Sequence, residues 1–206
     1  MKLTTHLAQR KNKRMTKMPW PVVPIKFCDH LKGKKPSEIS LTMLRPLSNN
    51  GGQLHHCAAR AWEAMKHAAM AEAGINLKPT SPGDTYRSIA TQKAGFMQRF
   101  QVEPIAGAQT RTYDGKTWYL KKGMAVLASP VDDPAKCSRH MLGIAVDVAN
   151  ASGKVLAWLL ENEQRFGFSH EVVDMPGAEP WHLRWTDSTP NQAVLDYEAA
   201  NPKPVA

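Results

Sequence analysis

Ser138-Arg-His140-Met-Leu-Gly143-Ile-Ala-Val-Asp147-Val-Ala149 decides how the rest of the chain is read. From Gly143 onward it alternates as a half-buried strand does. Ile144, Val146 and Val148 face one way as bulky core residues, and Gly143, Ala145, Asp147 and Ala149 face the other. The second face is a row of small side chains broken by one carboxylate, which leaves room for another group beside the acid. His140 lies seven positions before Asp147, so on one continuous strand the two would point to opposite faces. They converge only if the chain turns between them, and Gly143 is where a turn costs least.

A second stretch, Glu179-Pro-Trp-His182-Leu-Arg-Trp185, complements the first. Pro180 biases Glu179 towards extended backbone, so Glu179 and His182 are not a helical pair. With Trp181, Leu183 and Trp185 facing a core, His182 and Arg184 face outward beside the Asp147 row. Two imidazoles and one carboxylate then supply three zinc ligands with a fourth position open to water, the composition of a catalytic site. Glu179, adjacent but not a ligand, can take the proton of that water. Taken alone, either stretch reads as structural; the combination points to metal chemistry.

Leu54, Ala58, Trp62, Met65 and Ala69 recur at helical spacing until Gly74, which predicts a helix of about five turns. Gly74 to Leu77 and Thr80 to Gly83 read as a strand and turn. A second helix follows Arg87-Ser88, with Ile89, Phe96 and Phe100 on one face. Asp114-Gly115 between β-formers predicts a hairpin within 112–120. Ser152 opens a helix that stops at Gly167, Phe168 to Val173 is strand-like, and Thr189-Pro190 opens a terminal helix through Ala200. There is no βαβ rhythm and no glycine-rich phosphate loop. The expected class is α+β, a small, mainly antiparallel sheet flanked by helices.

The chain has 206 residues, enough for one domain with an appendage. No run approaches the length of a membrane span. Three cysteines without a CxxC pair exclude a disulfide framework and a cysteine-rich zinc module. Residues 1 to 50 hold 11 of the 27 basic residues and 2 of the 18 acids, so the whole net charge of +9 sits there and the remainder is neutral. Charge confined to an arm, not spread over a folded surface, argues against a nucleic-acid-binding fold. The expected division is a basic, Pro/Lys-rich arm over 1–52, extended and with little core of its own, and a folded domain over 53–206. The basic start is followed by prolines, not by an unbroken apolar stretch, so no secretory signal is read.

The motif Ser-x-His-x-x-Gly-x-Ala-x-Asp followed by Glu-Pro-Trp-His resembles the zinc D-Ala-D-Ala carboxypeptidases and dipeptidases of the VanY/VanX type. That family shares its fold with the Hedgehog signalling domain and with several phage lysins. Tyr86-Arg87-Ser88 with Gln92 looks like the family's substrate-arginine segment, and Trp158-Leu159 running into Phe166-Gly167-Phe168 like its helix before the last strands. The resemblance spans roughly 53–187 and leaves out the arm. It implies one zinc ion per chain bound by His140, Asp147 and His182, with Glu179 as catalytic base. It further implies that Arg87 stabilises the oxyanion and that Ser138 lines the substrate site, with Tyr86, Ser88, Gln92 and Trp181 as further substrate contacts. Thr85 departs from the pattern, standing where the family usually has Gly before Tyr-Arg-Ser.

The remaining reactive residues read as bland. His170-Glu171 lacks the second His of an HExxH helix, since Asp174 stands there, and reads as solvent-facing strand. His55-His56-Cys57 and His67 read as a partly exposed helix face. Cys137 has no activating base at a defined spacing.

The expected function is a zinc peptidase acting on peptidoglycan stem peptides, most simply a D-Ala-D-Ala carboxypeptidase. The alternatives are an L-Ala-D-Glu-type lytic endopeptidase, or a non-catalytic Hedgehog-like component of a phage particle. A wall substrate and no export signal point to phage encoding, with release by lysis or carriage in the virion. The basic arm is expected to meet an anionic wall polymer or a phage structural protein.

Overall fold

The computed structural model describes residues 23–171 and 179–202. Two long helices set the frame: α1, His56–Ala73, and α2, Ile89–Arg99. Helix α1 buries Ala58, Ala61, Trp62, Met65 and Ala69, the face expected from their spacing. It ends where Gly74 takes the left-handed conformation at φ 63° and its N–H closes on Ala69 and Met70. It also starts later than the periodicity suggests. Residues before it are drawn into strand β2, Gln53–His55, which pairs antiparallel with β1, Leu44–Pro46. Helix α2 is capped by Ser88, whose Oγ accepts from the Thr91 N–H at 3.1 Å.

The hairpin forms as expected. Strands β4, Thr110–Tyr113, and β5, Lys116–Leu120, flank Asp114 and Gly115, both at positive φ, and β3, Phe100–Gln101, pairs with the far edge of β5. This sheet covers a small apolar cluster of its own, Phe96, Phe100 and Leu127.

The third sheet carries the site. Its order is β6 (Ala145–Asp147), β8 (His182–Trp185), β7 (Phe168–His170), all antiparallel. The α+β class holds, although the strands divide among three small sheets. Ile144, Val146, Val148, Leu183 and Trp185 are buried in the main core with Trp62, Leu159 and Phe168. Between β6 and β7, α3 spans Gly153–Asn162 and continues as a 3-10 turn to Phe166. The final helix, α4, spans Gln192–Ala200. Among the described residues no helix is long and apolar enough to cross a membrane.

Five expectations need correction. Residues 23–52 are not an extended arm. Cys28, Leu31, Ile39, Leu44 and Leu47 are buried in the main core, and the Lys26 N–H bonds Thr186 O at 2.7 Å. The prolines and lysines between these apolar residues erase any periodicity, so only tertiary packing shows their burial. Residues 1–22, which hold 6 of the 11 basic residues of 1–50, lie outside the described residues. Over 74–83 there is no strand, only a bridge from Pro79 to Val148 and a 3-10 turn at Pro82–Asp84. Trp181 precedes β8 and is 43% exposed, not a core residue. His170 is buried, not solvent-facing. The expected strand from Phe168 ends at His170, and its last residues, 172 and 173, lie outside the described set.

Candidate metal centre and substrate cleft

His140 sits on a 3-10 turn, Arg139–Leu142, that ends at Gly143 in the left-handed conformation, φ 67°. That glycine reverses the chain between His140 and Asp147, as the seven-residue spacing requires. A Cβ there would also lie 2.8 Å from the backbone nitrogen of His55, whose N–H bonds the Gly143 carbonyl at 2.8 Å. Asp147 ends β6, and His182 begins β8 as its direct cross-strand partner.

The three side chains meet. His182 Nδ1 is 2.8 Å from Asp147 Oδ1, His140 Nε2 is 3.3 Å from the same oxygen, and the imidazole centroids are 5.0 Å apart. One ligand atom from each residue lies within 4.8 Å of the other two. Burial opposes ionisation of Asp147, but the adjoining imidazoles of His140 and His182 hold its carboxyl well below the usual range. Burial pulls the His140 pKa down, against the pull of Asp147, so its neutral form is favoured.

The cluster fits zinc. Donors on one tetrahedral zinc lie about 3.3 Å apart, close to the spacings found here. His140 donates from Nδ1 to the Thr85 carbonyl at 2.7 Å, which fixes the tautomer and leaves the Nε2 lone pair facing the cluster. Such an outer hydrogen bond is the usual support of a metal-ligating imidazole. His182 faces the cluster through Nδ1.

Thr85, the departure from the motif, is accommodated. Its Oγ1 donates to the Pro82 carbonyl at 2.8 Å and accepts from the Gln53 N–H at 3.1 Å. Space for it comes from Gly52, where a Cβ would lie 2.2 Å from that hydroxyl. The carbonyl that orients His140 is thereby kept in place.

Arg87 is half-buried, and its Nε is buried without a hydrogen-bond partner. Burial lowers its pKa, while the charges of Asp147, Asp84 and Glu179 act to raise it, which places the guanidinium in the same electrostatic neighbourhood as the cluster and Glu179. Glu179 is exposed, and its carbonyl accepts the His182 N–H at 2.9 Å. A cleft of about 400 Å³ reaches the cluster through Asp147 and is walled by Thr80, Asp84, Asn150, Ser152 and Trp181. Ser138 is half-buried at the start of the His140 turn, and Tyr86 packs against the main core. Ser88 is engaged in capping α2, and Gln92 is buried, donating to the Ala128 carbonyl at 2.8 Å.

A model of the VanY D-alanyl-D-alanine carboxypeptidase family matches residues 51–188, more than half of the chain. The chain belongs to the VanY family. With the His₂Asp donor set, it is a zinc enzyme of the D-Ala-D-Ala carboxypeptidase type. Three solved structures are similar to this VanY-family chain. VanYB in complex with D-alanine-D-alanine is 22% identical, with a TM-score of 0.49, covering 89% of this chain and 98% of its own. A mutant of the vancomycin-resistance D,D-pentapeptidase VanY with Zn(II) is 22% identical, with a TM-score of 0.47, covering 82% and 88%. The LD-carboxypeptidase LdcB is 21% identical, with a TM-score of 0.49, covering 81% and 77%. No curated protein matches.

One part of the surroundings carried no signal in the sequence. Glu163 and His170 are both buried, and His170 Nδ1 lies 2.5 Å from Glu163 Oε2. The other ring nitrogen donates to the Pro180 carbonyl at 2.8 Å. This chain holds the Glu179-Pro180-Trp181 turn from behind. Cys137, by contrast, is buried with its thiol pushed up to about 11, which suits an inert core residue.

Proposed function

We propose that this protein removes the terminal D-alanine from peptidoglycan stem peptides, with His140, Asp147 and His182 holding zinc, Glu179 as base and Arg87 as anion anchor. The observation that carries the reading is the convergence of His140, Asp147 and His182, with Asp147 on a cleft and with the charges of Asp147 and Glu179 acting on a half-buried Arg87. Zinc, when bound, supplies Lewis-acid activation of a water molecule and polarises the scissile carbonyl.

Glu179 takes the proton of the attacking water and returns it to the leaving D-Ala nitrogen as the C–N bond breaks. Its exposure and its place next to the Pro180-Trp181 turn leave the carboxylate free to do this. Arg87 is permanently charged, and its unpartnered Nε suits a carboxylate or developing oxyanion. A terminal carboxylate is what distinguishes a carboxypeptidase substrate from an internal bond, so Arg87 favours the carboxypeptidase reading over a lytic endopeptidase. Trp181 offers an apolar wall for the methyl groups of the two D-alanines. We assign the basic N-terminal segment to attachment on an anionic wall surface, in keeping with phage encoding.

The test is incubation of the purified zinc-loaded protein with a defined muramyl pentapeptide and identification of products by mass. Release of a single D-Ala supports the reading. Cleavage between L-Ala and D-Glu, or no cleavage, refutes it.

A further inference from the structure

The N-terminal segment that packs on the core brings two residues against the start of α1. Cys28 and His30 meet His55, His56 and Cys57, five metal-binding side chains from two distant stretches of sequence. We propose that Cys28, His30, His56 and Cys57 form a second zinc site, structural in character, that fastens the N-terminal segment to the N-terminus of α1.

The distances are those of a metal site. His30 Nδ1 lies 3.7 Å from Cys57 Sγ, and a sulfur and a nitrogen on one tetrahedral zinc are roughly 3.6 Å apart. His30, His56 and Cys57 each place a ligand atom within 4.8 Å of the other two. Cys28 joins through the shared Cys57: the two sulfurs and a ring nitrogen of His55 form an overlapping group whose atoms also lie within 4.8 Å of one another. The rings of His30 and His56 stand edge to face with centroids 4.6 Å apart, so both can turn a nitrogen to a common point.

The protonation chemistry selects His56 over its neighbour as the fourth ligand. His56 donates from Nδ1 to the Met43 carbonyl at 3.2 Å, which leaves the Nε2 lone pair free. His55 spends Nδ1 accepting the Cys57 N–H at 3.3 Å, the helix cap, so its proton sits on Nε2. That N–H is buried and has no partner, although a ring nitrogen of His55 lies within 4.8 Å of both sulfurs. A pair of metal-bound thiolates beside it supplies the missing acceptor.

Two thiolates and two imidazoles suit zinc, and four protein ligands close the site to substrate. Both cysteines are buried while His30 is exposed, which gives the ion a route in. The site is independent of the catalytic reading, since it shares no ligand with it.

The experiment uses the reduced, full-length protein, stripped of metal by chelation and titrated with Co(II). Sulfur ligation gives an intense thiolate-to-cobalt absorption in the near ultraviolet, which a His₂Asp site cannot produce. The expected result is two bound equivalents, with that band present in the wild type and in His140→Ala and lost in Cys28→Ser and Cys57→Ser. Zinc should bleach it. A reduced wild type that takes up cobalt without the band overturns the proposal, as does a Cys28–Cys57 disulfide in the protein as isolated. Because the wild type and His140→Ala decide the matter, a cysteine variant that fails to fold does not rescue or sink it. Failure of His140→Ala to lose one equivalent would instead sink the catalytic assignment.

Discussion

Asp147 and His182 sit directly opposite each other on β6 and β8, and His182 Nδ1 reaches Asp147 Oδ1 at 2.8 Å. The strand register itself therefore aligns two of the three proposed ligands, and a slip by one residue would send one of them to the other face. Only His140 needs a separate device, the Gly143 reversal and the Thr85 carbonyl.

Replacing His140 with Ala should remove one equivalent of zinc and all measurable peptidase activity together. Elemental analysis beside a D-Ala release assay checks this; an unchanged zinc content would show that His140 is not a ligand.

Glu179→Gln preserves size and removes the proton acceptor. Zinc content should be unchanged while turnover falls by about 10²-fold or more. Loss of metal would instead make Glu179 a ligand.

Arg87→Lys keeps the charge but not the planar fork of donors. A hydrogen bond to a charged group contributes about 1.5–3 kcal/mol, so kcat/KM should fall roughly 10- to 150-fold. A substrate amidated at its C-terminus should erase most of the difference between the wild type and the variant if Arg87 binds the terminal carboxylate.

Acidification should release the catalytic zinc through His140 and not through Asp147. The Asp147 carboxyl is held below its ordinary value, so it stays ionised well into the acid range. The pKa of His140 is lowered by burial, so its lone pair persists below the pH at which a free imidazole, near 6.5, would be protonated. Zinc retention followed by equilibrium dialysis should therefore be lost only below about pH 6.5, and a midpoint above that value would contradict the assignment.

A chain beginning at residue 23 should fold and cleave a small soluble peptide as the full chain does. One beginning at Ser48 lacks Cys28, Leu31, Ile39, Leu44 and Leu47, all buried in the main core. Losing even one such leucine costs about 2–5 kcal/mol, so the shorter chain should be unfolded or aggregated by circular dichroism.

Much of the site was legible because its chemistry is written locally. Gly143 announces the reversal, Asp147 breaks a row of small residues, and Pro180 rules out a helical Glu179–His182 pair. The placement of Arg87 near these residues was implied by resemblance, and only the fold brings its charge into the same field as Asp147 and Glu179. What stayed hidden depends on long-range packing. Nothing periodic marks Leu31 or Ile39 as core, and nothing in the spacing of Glu163 and His170 shows that they pair beneath Pro180. Trp181 looked like a core residue by alternation, yet β8 begins one residue later and leaves it exposed on the cleft.

The hairpin sheet rests on its own apolar cluster of Phe96, Phe100 and Leu127, apart from the core beneath β6 and β8. Its sequence can therefore drift, lengthen or be exchanged without disturbing the strands that align the ligands. In amide exchange this part should open at lower free energy than the catalytic sheet. The fold thus divides its labour, with one half constrained by metal geometry and the other free to explore.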